Sequence, residues 1–432
     1  MHRLIIKNIG LLATPLGGGP KSGPDQGNIK FIKNAYIICD DGLITDVGAM
    51  ESGAAEADSS AVAANAADAD CLPAWIDTFD AEIIDAEGKL VTPGLIDAHT
   101  HLGFGGWRQN ELELKLKGAG YLDILNAGGG ILSTVRATRE APLDELVDRM
   151  IYELDEMFKP GTTTCEVKSG YGLDRTTELK QLAAFAQANE KTPVDLISTF
   201  MGAHAVPAEY KERRKAYISF LTEEMLPYIA SKKLAAFCDV FCEEGVFTAE
   251  ESLAILGRAK ELGLGAKIHA DEICDIGGTA VAKEVGAISA EHLICTTLEG
   301  INNLKEGKVV ACLLPGTSLY LGADFAPARE MISAGVPVAM ASDFNPGSCT
   351  SHNMQLVINL GCLKYRMTTE EVLTAVTLNA ASAIGLANRL GSLEGGKQAD
   401  IIIWDAPDLN YICYRMGRNL VNKVIKKGKI YG

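Results

Sequence analysis

The spacing of apolar and polar residues divides this chain into a long central part and two short β-rich ends. Near both ends, short apolar runs separated by turn residues predict β-strands. These runs cover residues 3–6, 35–39, 43–48, 80–85, 401–404 and 421–431. Because the two ends share this composition, we predict that residues 1–92 and 387–432 form one small composite β domain, a β-sandwich.

In the central part, residues 93–386, short β-rich runs alternate with amphipathic helical stretches. Such alternation is typical of βα units that share a parallel sheet. The eight candidate strands are residues 90–98, 162–167, 194–200, 235–241, 265–268, 287–290, 309–314 and 336–341. Eight units predict an α/β fold, a (β/α)8 TIM-type barrel, with its active site at the carboxyl ends of the strands.

Composition narrows the classes of partner. The 432 residues carry a net charge of −16, which argues against nucleic acid or an anionic membrane as a partner. The 11 cysteines form no closely spaced framework and no secretory signal opens the chain, so we predict free thiols in a reducing cytoplasm. Residues 51–70 are mostly Ala, Asp, Ser and Glu, which predicts a mobile acidic surface loop. We assign no role to that loop or to residues 17–30.

The histidines are concentrated where the candidate barrel strands end. The chain has seven histidines, and all except His2 and His352 lie at these ends. Residues i and i+2 of a strand point to the same face, so His99 and His101 converge, as metal ligands do. Taken singly, His204 or His292 could instead be a structural histidine.

This pattern predicts a catalytic metal site with an open position for water. Its ligands are His99, His101, His269 and Asp343, and they suit one divalent metal, either zinc or iron. Asp343 is placed to take a proton from the water, and His292 to stabilise the charge on the attacked oxygen. Glu272 could pass a proton to a ring nitrogen. Its alternative roles are a supporting carboxylate or an acid at a helix N-terminus.

Several ordered motifs carry a family resemblance. They are residues 99–108, 127–131, 166–173, 202–204, 269–272 and 342–348. The histidines on strands one, five and six, with the aspartate on strand eight, resemble the amidohydrolase superfamily. The Lys168–Gly172 and Asp343–Gly347 stretches resemble, within it, the imidazolonepropionase family.

The resemblance implies a small-molecule substrate and a reaction. Water opens the ring of 4-imidazolone-5-propanoate and gives N-formimidoyl-L-glutamate, a step of histidine degradation. The implied substrate-binding residues are Arg108, Tyr171, His204, Glu272, Asn345, Gly347 and Ser348. Arg108 is the natural partner for the propanoate carboxylate, because its guanidinium fork matches that geometry. A homodimer is also implied.

Three alternatives stay open at this stage. Another amidohydrolase, acting on a purine, pyrimidine or triazine ring, would share the metal ligands but would not need Arg108. A non-catalytic scaffold of the same fold would be expected to have lost ligands. A second metal, held through Lys168 or Glu243, is not excluded, although residues 237–244 of strand four contain no lysine. The glycine run at 128–130 is not followed by Gly-Lys-Ser/Thr, so we discount a phosphate loop.

Overall fold

Two sheets contain the strands of this protein. The structure is a computed structural model, and it describes residues 2–50, 72, 76–118 and 129–431. The strands of this part are β1 (Arg3–Thr14), β2 (Lys30–Asp40), β3 (Leu43–Ala49), β4 (Ala81–Asp85), β5 (Leu90–Pro93), β6 (Leu95–Asp97), β7 (Thr162–Lys168), β8 (Asp195–Ala203), β9 (Phe237–Cys242), β10 (Gly265–Ala270), β11 (Ser289–His292), β12 (Val310–Leu313), β13 (Val338–Met340), β14 (Ile401–Trp404), β15 (Val421–Lys426) and β16 (Lys429–Tyr431). The predicted acidic loop at 51–70 lies outside the described residues, as do residues 127 and 128 of the glycine-run motif.

The helices lie mainly between the barrel strands. The α-helices of the described residues are α1 (Leu112–Leu116), α2 (Ile131–Glu140), α3 (Leu143–Phe158), α4 (Arg175–Lys191), α5 (Arg214–Ser219), α6 (Leu226–Lys232), α7 (Ala249–Glu261), α8 (Gly278–Val285), α9 (Leu298–Gly307), α10 (Pro315–Leu321), α11 (Ala328–Ala334), α12 (Met354–Leu363), α13 (Thr369–Ala375), α14 (Leu378–Ala383) and α15 (Leu409–Tyr414). Short 3-10 helices cover Gly23–Gly27, Gln109–Glu111 and Ala208–Tyr210, and a π-helix at Phe220–Met225 joins α5 to α6. Of the described helices, none has the length and apolar character needed to cross a membrane.

The predicted barrel is confirmed. Strands β6 to β13 pair in parallel and in chain order, which is the strand arrangement of a (β/α)8 barrel. Backbone hydrogen bonds just beyond the strand ends join the last strand to the first. His101 N donates to the Phe344 carbonyl at 2.9 Å, and Asp343 N donates to the His99 carbonyl at 3.0 Å. The closing seam of the barrel therefore runs through the predicted metal ligands.

A side-chain contact reinforces this seam. The buried Asp97 carboxylate accepts hydrogen bonds from the Ser342 backbone N–H at 3.0 Å and from the Ser342 hydroxyl at 2.5 Å. Asp97 ends β6, two residues before His99, and Ser342 directly precedes Asp343. The contact thus fixes the two segments that carry metal-ligand candidates relative to one another.

The second sheet is built from both ends of the chain, as predicted. Its strand order is β16-β15-β14-β5-β1-β2-β3, with β4 paired to β1. One face forms a separate apolar cluster whose members come from strands at both ends of this order. That cluster includes Ile37 of β2 and Ile44 of β3, together with Ile401 of β14 and Ile425 of β15. A second, smaller cluster contains Ile5, Tyr36 and Ile38 of β1 and β2, so the sheet has apolar packing of its own apart from the barrel.

The first predicted barrel strand, 90–98, is divided between the two sheets. β5 pairs with β1 and β14 in the composite sheet, whereas β6 pairs with β7 in the barrel. The break is at Gly94, where a Cβ atom would lie 2.4 Å from the Thr163 hydroxyl oxygen. The continuous apolar run concealed this change of sheet, because both halves are buried.

The segment 17–30, which received no role from the sequence, packs against the barrel. The buried Gln26 side chain donates to the Val338 carbonyl at 3.0 Å and accepts from the Val338 N–H at 3.0 Å. Lys21 N donates to Asn379 Oδ1 at 2.7 Å. These bonds attach the segment at the start of β13, away from the strand ends that carry the histidines.

Candidate active site

Four predicted ligands converge at the carboxyl end of the barrel. His99 Nε2 lies 3.3 Å from His101 Nε2 and 3.4 Å from Asp343 Oδ1. His101 Nε2 lies 3.4 Å from His269 Nε2 and 3.6 Å from Asp343 Oδ1. All four side chains are buried. Such a cluster of nitrogen and oxygen donors can hold a metal ion.

Local backbone geometry aims these side chains inward. His99 and His101 follow β6 with the two-residue period of extended chain, and His269 lies within β10. Asp343 has a φ of 55°, and His292 has a φ of 69°. Residues other than glycine adopt this left-handed region only at a cost, which the surrounding structure must offset.

Three ligands are oriented by hydrogen bonds to their far atoms. His99 Nδ1 lies 2.7 Å from Glu291 Oε2, and His269 Nδ1 lies 3.0 Å from Asp239 Oδ1. The Thr317 hydroxyl donates to Asp343 Oδ2 at 2.5 Å. When a carboxylate takes the Nδ1 proton, the Nε2 lone pair is left facing the centre, and this arrangement is usual around metal-binding histidines.

Beneath the ligands lies a fully buried network of charges. Lys168 Nζ donates to Glu166 Oε1 at 2.8 Å and to Asp239 Oδ2 at 2.7 Å. Lys267 Nζ lies 3.2 Å from Glu291 Oε1. Two ammonium groups thus face three carboxylates, and ionised Asp343 makes four.

The protonation states agree with a metal site. Burial, followed by the positive charge of neighbouring groups, lowers the pKa of His99 and of His101 well below 6.5, so both rings are neutral at pH 7. Burial raises the pKa of Asp343 to about 7. A cation beside this carboxylate offsets the cost of burying its charge. The residues present therefore fit a divalent metal, and the donor set suits zinc and iron alike.

His292 and Glu272 border the same centre. The ligand atoms of His99, His292 and Asp343 lie within 4.8 Å of one another, so His292 faces the metal position as well. His292 Nε2 lies 3.6 Å from Glu272 Oε2. Burial, with the charges of Asp343 and Glu243, raises the pKa of Glu272 to about 8. Glu272 therefore holds a proton at neutral pH and can donate it.

His204 and Tyr171 form an aromatic wall next to the ligands. The His204 ring stacks on the His101 ring with centroids 4.8 Å apart and an angle of 22° between their planes. The Tyr171 ring centroid lies 5.2 Å from that of His204. Burial lowers the pKa of His204 to about 3, so this ring is neutral. A flat heterocycle can lie against such a wall.

Arg108 supplies positive charge at this wall. Its guanidinium is close enough to act electrostatically on Tyr171 and on His204. Nε of Arg108 is buried and has no hydrogen-bond partner among the described residues. The structure thus brings together the predicted metal ligands, Arg108, Tyr171 and His204.

The remaining predicted substrate contacts lie in the turn after Asp343. The Asn345 amide donates to the Asp343 carbonyl at 2.7 Å and to the Ser348 hydroxyl at 2.8 Å. Its oxygen accepts from the N–H groups of Gly347 and Ser348, both at 2.8 Å. These four bonds use the full capacity of the Asn345 side chain inside the turn. In this arrangement Asn345 shapes the turn, and its predicted contact with substrate stays a prediction.

The residues considered for a second metal are engaged elsewhere. Lys168 belongs to the buried charge network. The Glu243 carboxylate accepts hydrogen bonds from the N–H groups of Glu244, Ile273 and Cys274 at 2.9 to 3.0 Å. Glu243 therefore organises the loop that begins with Glu272. The prediction of one metal rests on the sequence and on these ion pairs and hydrogen bonds of Lys168 and Glu243.

Asp239 and Glu291, the carboxylates next to His269 and His99, were not predicted from the sequence. The sequence nevertheless contains a signal for them. The two-residue period of β10 places Lys267 on the same face as His269, and a buried lysine needs carboxylate partners. Charged residues inside apolar strands, such as Asp239 between Cys238 and Val240, are expensive to bury without partners. If each charged residue within a strand is taken to face the barrel interior, the buried network of lysines and carboxylates follows.

Comparisons with known proteins identify the family of this chain. The Amidohydrolase family matches residues 90–431. An imidazolonepropionase of Alkaliphilus metalliredigens is 47% identical over 432 residues, which cover 100% of this chain and 98% of the relative. An imidazolonepropionase of Alkaliphilus oremlandii is 49% identical over 427 residues, which cover 98% of this chain and 97% of the relative.

Solved structures show the same fold at low identity. E. coli guanine deaminase superposes with a TM-score of 0.72 at 16% identity, covering 100% of this chain and 99% of that one. An adenosine deaminase from Xanthomonas campestris, solved with bound zinc, gives a TM-score of 0.67 at 18% identity, covering 99% and 92%. At these identities the likeness concerns the fold alone.

Proposed function

The chain belongs to the imidazolonepropionases of the amidohydrolase family, and from that premise we propose that it hydrolyses 4-imidazolone-5-propanoate to N-formimidoyl-L-glutamate. The observation that carries the proposal is the position of Arg108. Its guanidinium stands beside the aromatic wall and forms no ion pair within the described ranges. A ring with an anionic tail needs such a cation, whereas a neutral base does not.

The proposed reaction breaks a cyclic amide. The water oxygen bonds to the ring carbonyl carbon, the bond from that carbon to the ring nitrogen breaks, and the nitrogen leaves with a proton. A divalent metal held by His99, His101, His269 and Asp343 supplies Lewis acidity, which makes water a nucleophile at neutral pH.

The side chains of this chain supply the other steps. Asp343 accepts a proton from the attacking water, because its buried carboxylate borders the site beside His99 and His101. His292 faces the developing oxyanion and stabilises it. Glu272, with a pKa of about 8, donates a proton to the leaving ring nitrogen. Arg108 holds the propanoate, while Tyr171 and His204 hold the ring.

The direct test is turnover of freshly generated 4-imidazolone-5-propanoate, followed by its ultraviolet absorbance, before and after treatment with a chelator. We expect loss of absorbance that needs the protein and that returns when zinc or ferrous iron is added back. A protein that retains one metal but leaves this substrate intact would contradict the proposal. Guanine and related neutral bases, assayed in parallel, would then distinguish another amidohydrolase from a non-catalytic scaffold.

The proposal also covers the metal content, the oligomeric state, the cellular location and the domain bounds. We propose one metal ion per chain, zinc or iron, a homodimer, and a cytoplasmic location. The ten cysteines that the structure describes are all unpaired, as expected for a reducing compartment. The small domain comprises residues 1–92 and 387–432, and the catalytic barrel comprises residues 93–386.

A further inference from the structure

Gly347 lies directly against the guanidinium of Arg108. A Cβ atom built on Gly347 would stand 1.3 Å from Arg108 Nη2, 2.1 Å from Cζ and 2.9 Å from Nε. Heavy atoms that are not bonded do not approach this closely. The guanidinium therefore occupies the volume that any other residue at position 347 would fill with its side chain.

Gly347 is needed for this space and not for its backbone conformation. Its φ is not among the positive values that the structure contains. The backbone at 347 thus admits an L-amino acid. All three of the nearest atoms to the added Cβ belong to Arg108, and its side chain can move. An alanine at 347 would displace the guanidinium and leave the main chain in place.

The turn that carries Gly347 is rigidly joined to the metal ligand Asp343. The Asn345 side chain bonds to the Asp343 carbonyl and to the N–H groups of Gly347 and Ser348. Asn345 N also donates to the Cys349 carbonyl at 2.8 Å, which closes the turn. The turn therefore sets the distance between the metal position and the surface on which the guanidinium rests.

We propose that Gly347 is a positioning and specificity-determining residue. Its missing side chain leaves the space in which the Arg108 guanidinium rests, against the turn that follows the ligand candidate Asp343. The inference rests on the proposed function for the identity of the substrate. It predicts selection for a substrate with an anionic tail, because the guanidinium that Gly347 admits is the group that would pair with that tail.

The test compares Gly347→Ala with Gly257→Ala. Gly257 lies in α7, and a Cβ atom there would meet nothing within 4 Å. Binding of two probes, imidazole-4-propanoate and its uncharged carboxamide, is measured by calorimetry on the metal-loaded proteins, together with metal content. KM and kcat for 4-imidazolone-5-propanoate are measured on the same samples.

We expect Gly347→Ala to weaken binding of the propanoate probe and raise KM by about tenfold or more, the loss expected for a charge-assisted pair. The carboxamide affinity, kcat, metal content and thermal midpoint should stay near those of the wild type. Gly257→Ala should match the wild type in all of these measurements. In an Arg108→Ala background, adding Gly347→Ala should cause no further loss, since the guanidinium is already gone.

Two outcomes overturn the inference. One is an unchanged propanoate affinity in Gly347→Ala. The other is an equal loss for both probes accompanied by lost metal, which would indicate a purely structural turn. Failure of the proposed function looks different: the wild type would bind the propanoate probe but would not turn over 4-imidazolone-5-propanoate, and the difference between the two glycine variants in binding would still decide the role of Gly347.

Discussion

The two halves of the active site differ in how their polar atoms are satisfied. On the metal side, His99, His269 and Asp343 each have the atom that faces away from the centre bound to Glu291, Asp239 or Thr317. On the substrate side, Arg108 Nε and His292 Nδ1 are buried with no hydrogen-bond partner in the described part of the chain, and Nδ1 of the ligand candidate His101 lacks one as well. Buried polar groups are normally paired, so the first half is organised in advance and the second is completed by a ligand.

His101 stands at the boundary between these halves. Its Nε2 belongs to the metal cluster, whereas its ring stacks on His204 of the substrate wall.

The largest effect is expected for His101→Ala. This change removes a ligand and the ring that supports His204, so metal retention and turnover should fall together to background. Metal analysis after desalting, with the ultraviolet assay, checks both. His2→Ala is the matched control, because His2 is an exposed histidine far from the site. Full activity of His101→Ala without bound metal would contradict the proposed metal centre.

Asp239→Asn tests the organisation of the metal side. Asp239 orients His269 and also pairs with Lys168, so we expect metal affinity to fall by about 10- to 100-fold, as is usual for such outer partners. A competition titration with a chromogenic chelator measures this. The exposed Asp148→Asn serves as the control. Wild-type affinity in Asp239→Asn would show that the imidazole is held without help from the network.

Arg108→Ala tests the substrate side by itself. Loss of a charge-assisted bond to the propanoate should raise KM by about 10- to 100-fold, with metal content unchanged. Arg108→Lys should recover only part of the loss, because an ammonium lacks the planar fork. Steady-state kinetics gives both values, with the exposed Arg418→Ala as the reference. An unaltered KM would mean that another group receives the carboxylate.

The smallest effect concerns pH and a region outside both halves. Asp195, at the start of β8, accepts bonds from Lys426 at 2.9 Å and Lys427 at 2.5 Å, both of the composite sheet. Burial opposes ionisation of Asp195, but the charge of Lys426 and the hydrogen bonds lower its pKa below the ordinary value.

A lowered pKa in the folded state stabilises the protein above the unfolded value of about 3.9, and this contribution is lost as the pH falls through the folded pKa. We expect about 1–2 kcal/mol from this partly exposed group. Urea unfolding from pH 6 to pH 3 should show a weaker pH dependence for Asp195→Asn than for the wild type, with the KM at pH 7 unchanged. Identical pH profiles would assign the acid sensitivity to other carboxylates.

The sequence sufficed for features that depend on local periodicity. Short apolar runs located the eight barrel strands, and histidines at strand ends predicted which side chains lie together as metal-ligand candidates. It did not predict the change of sheet at Gly94, because a buried strand looks the same in either sheet. Nor could it predict that Gly347 makes room for Arg108, since that contact joins distant segments and depends on the shape of a turn.

The seam between the first and last strands has a consequence for how the protein is made. His99 emerges early in synthesis, whereas Asp343 and the Ser342 contact with Asp97 are available only after almost the whole barrel has been translated. A complete ligand set therefore exists only in a closed barrel. A divalent ion held there, as we propose, would join positions 99 and 343 across a very long loop, and its binding would then mark the end of barrel folding.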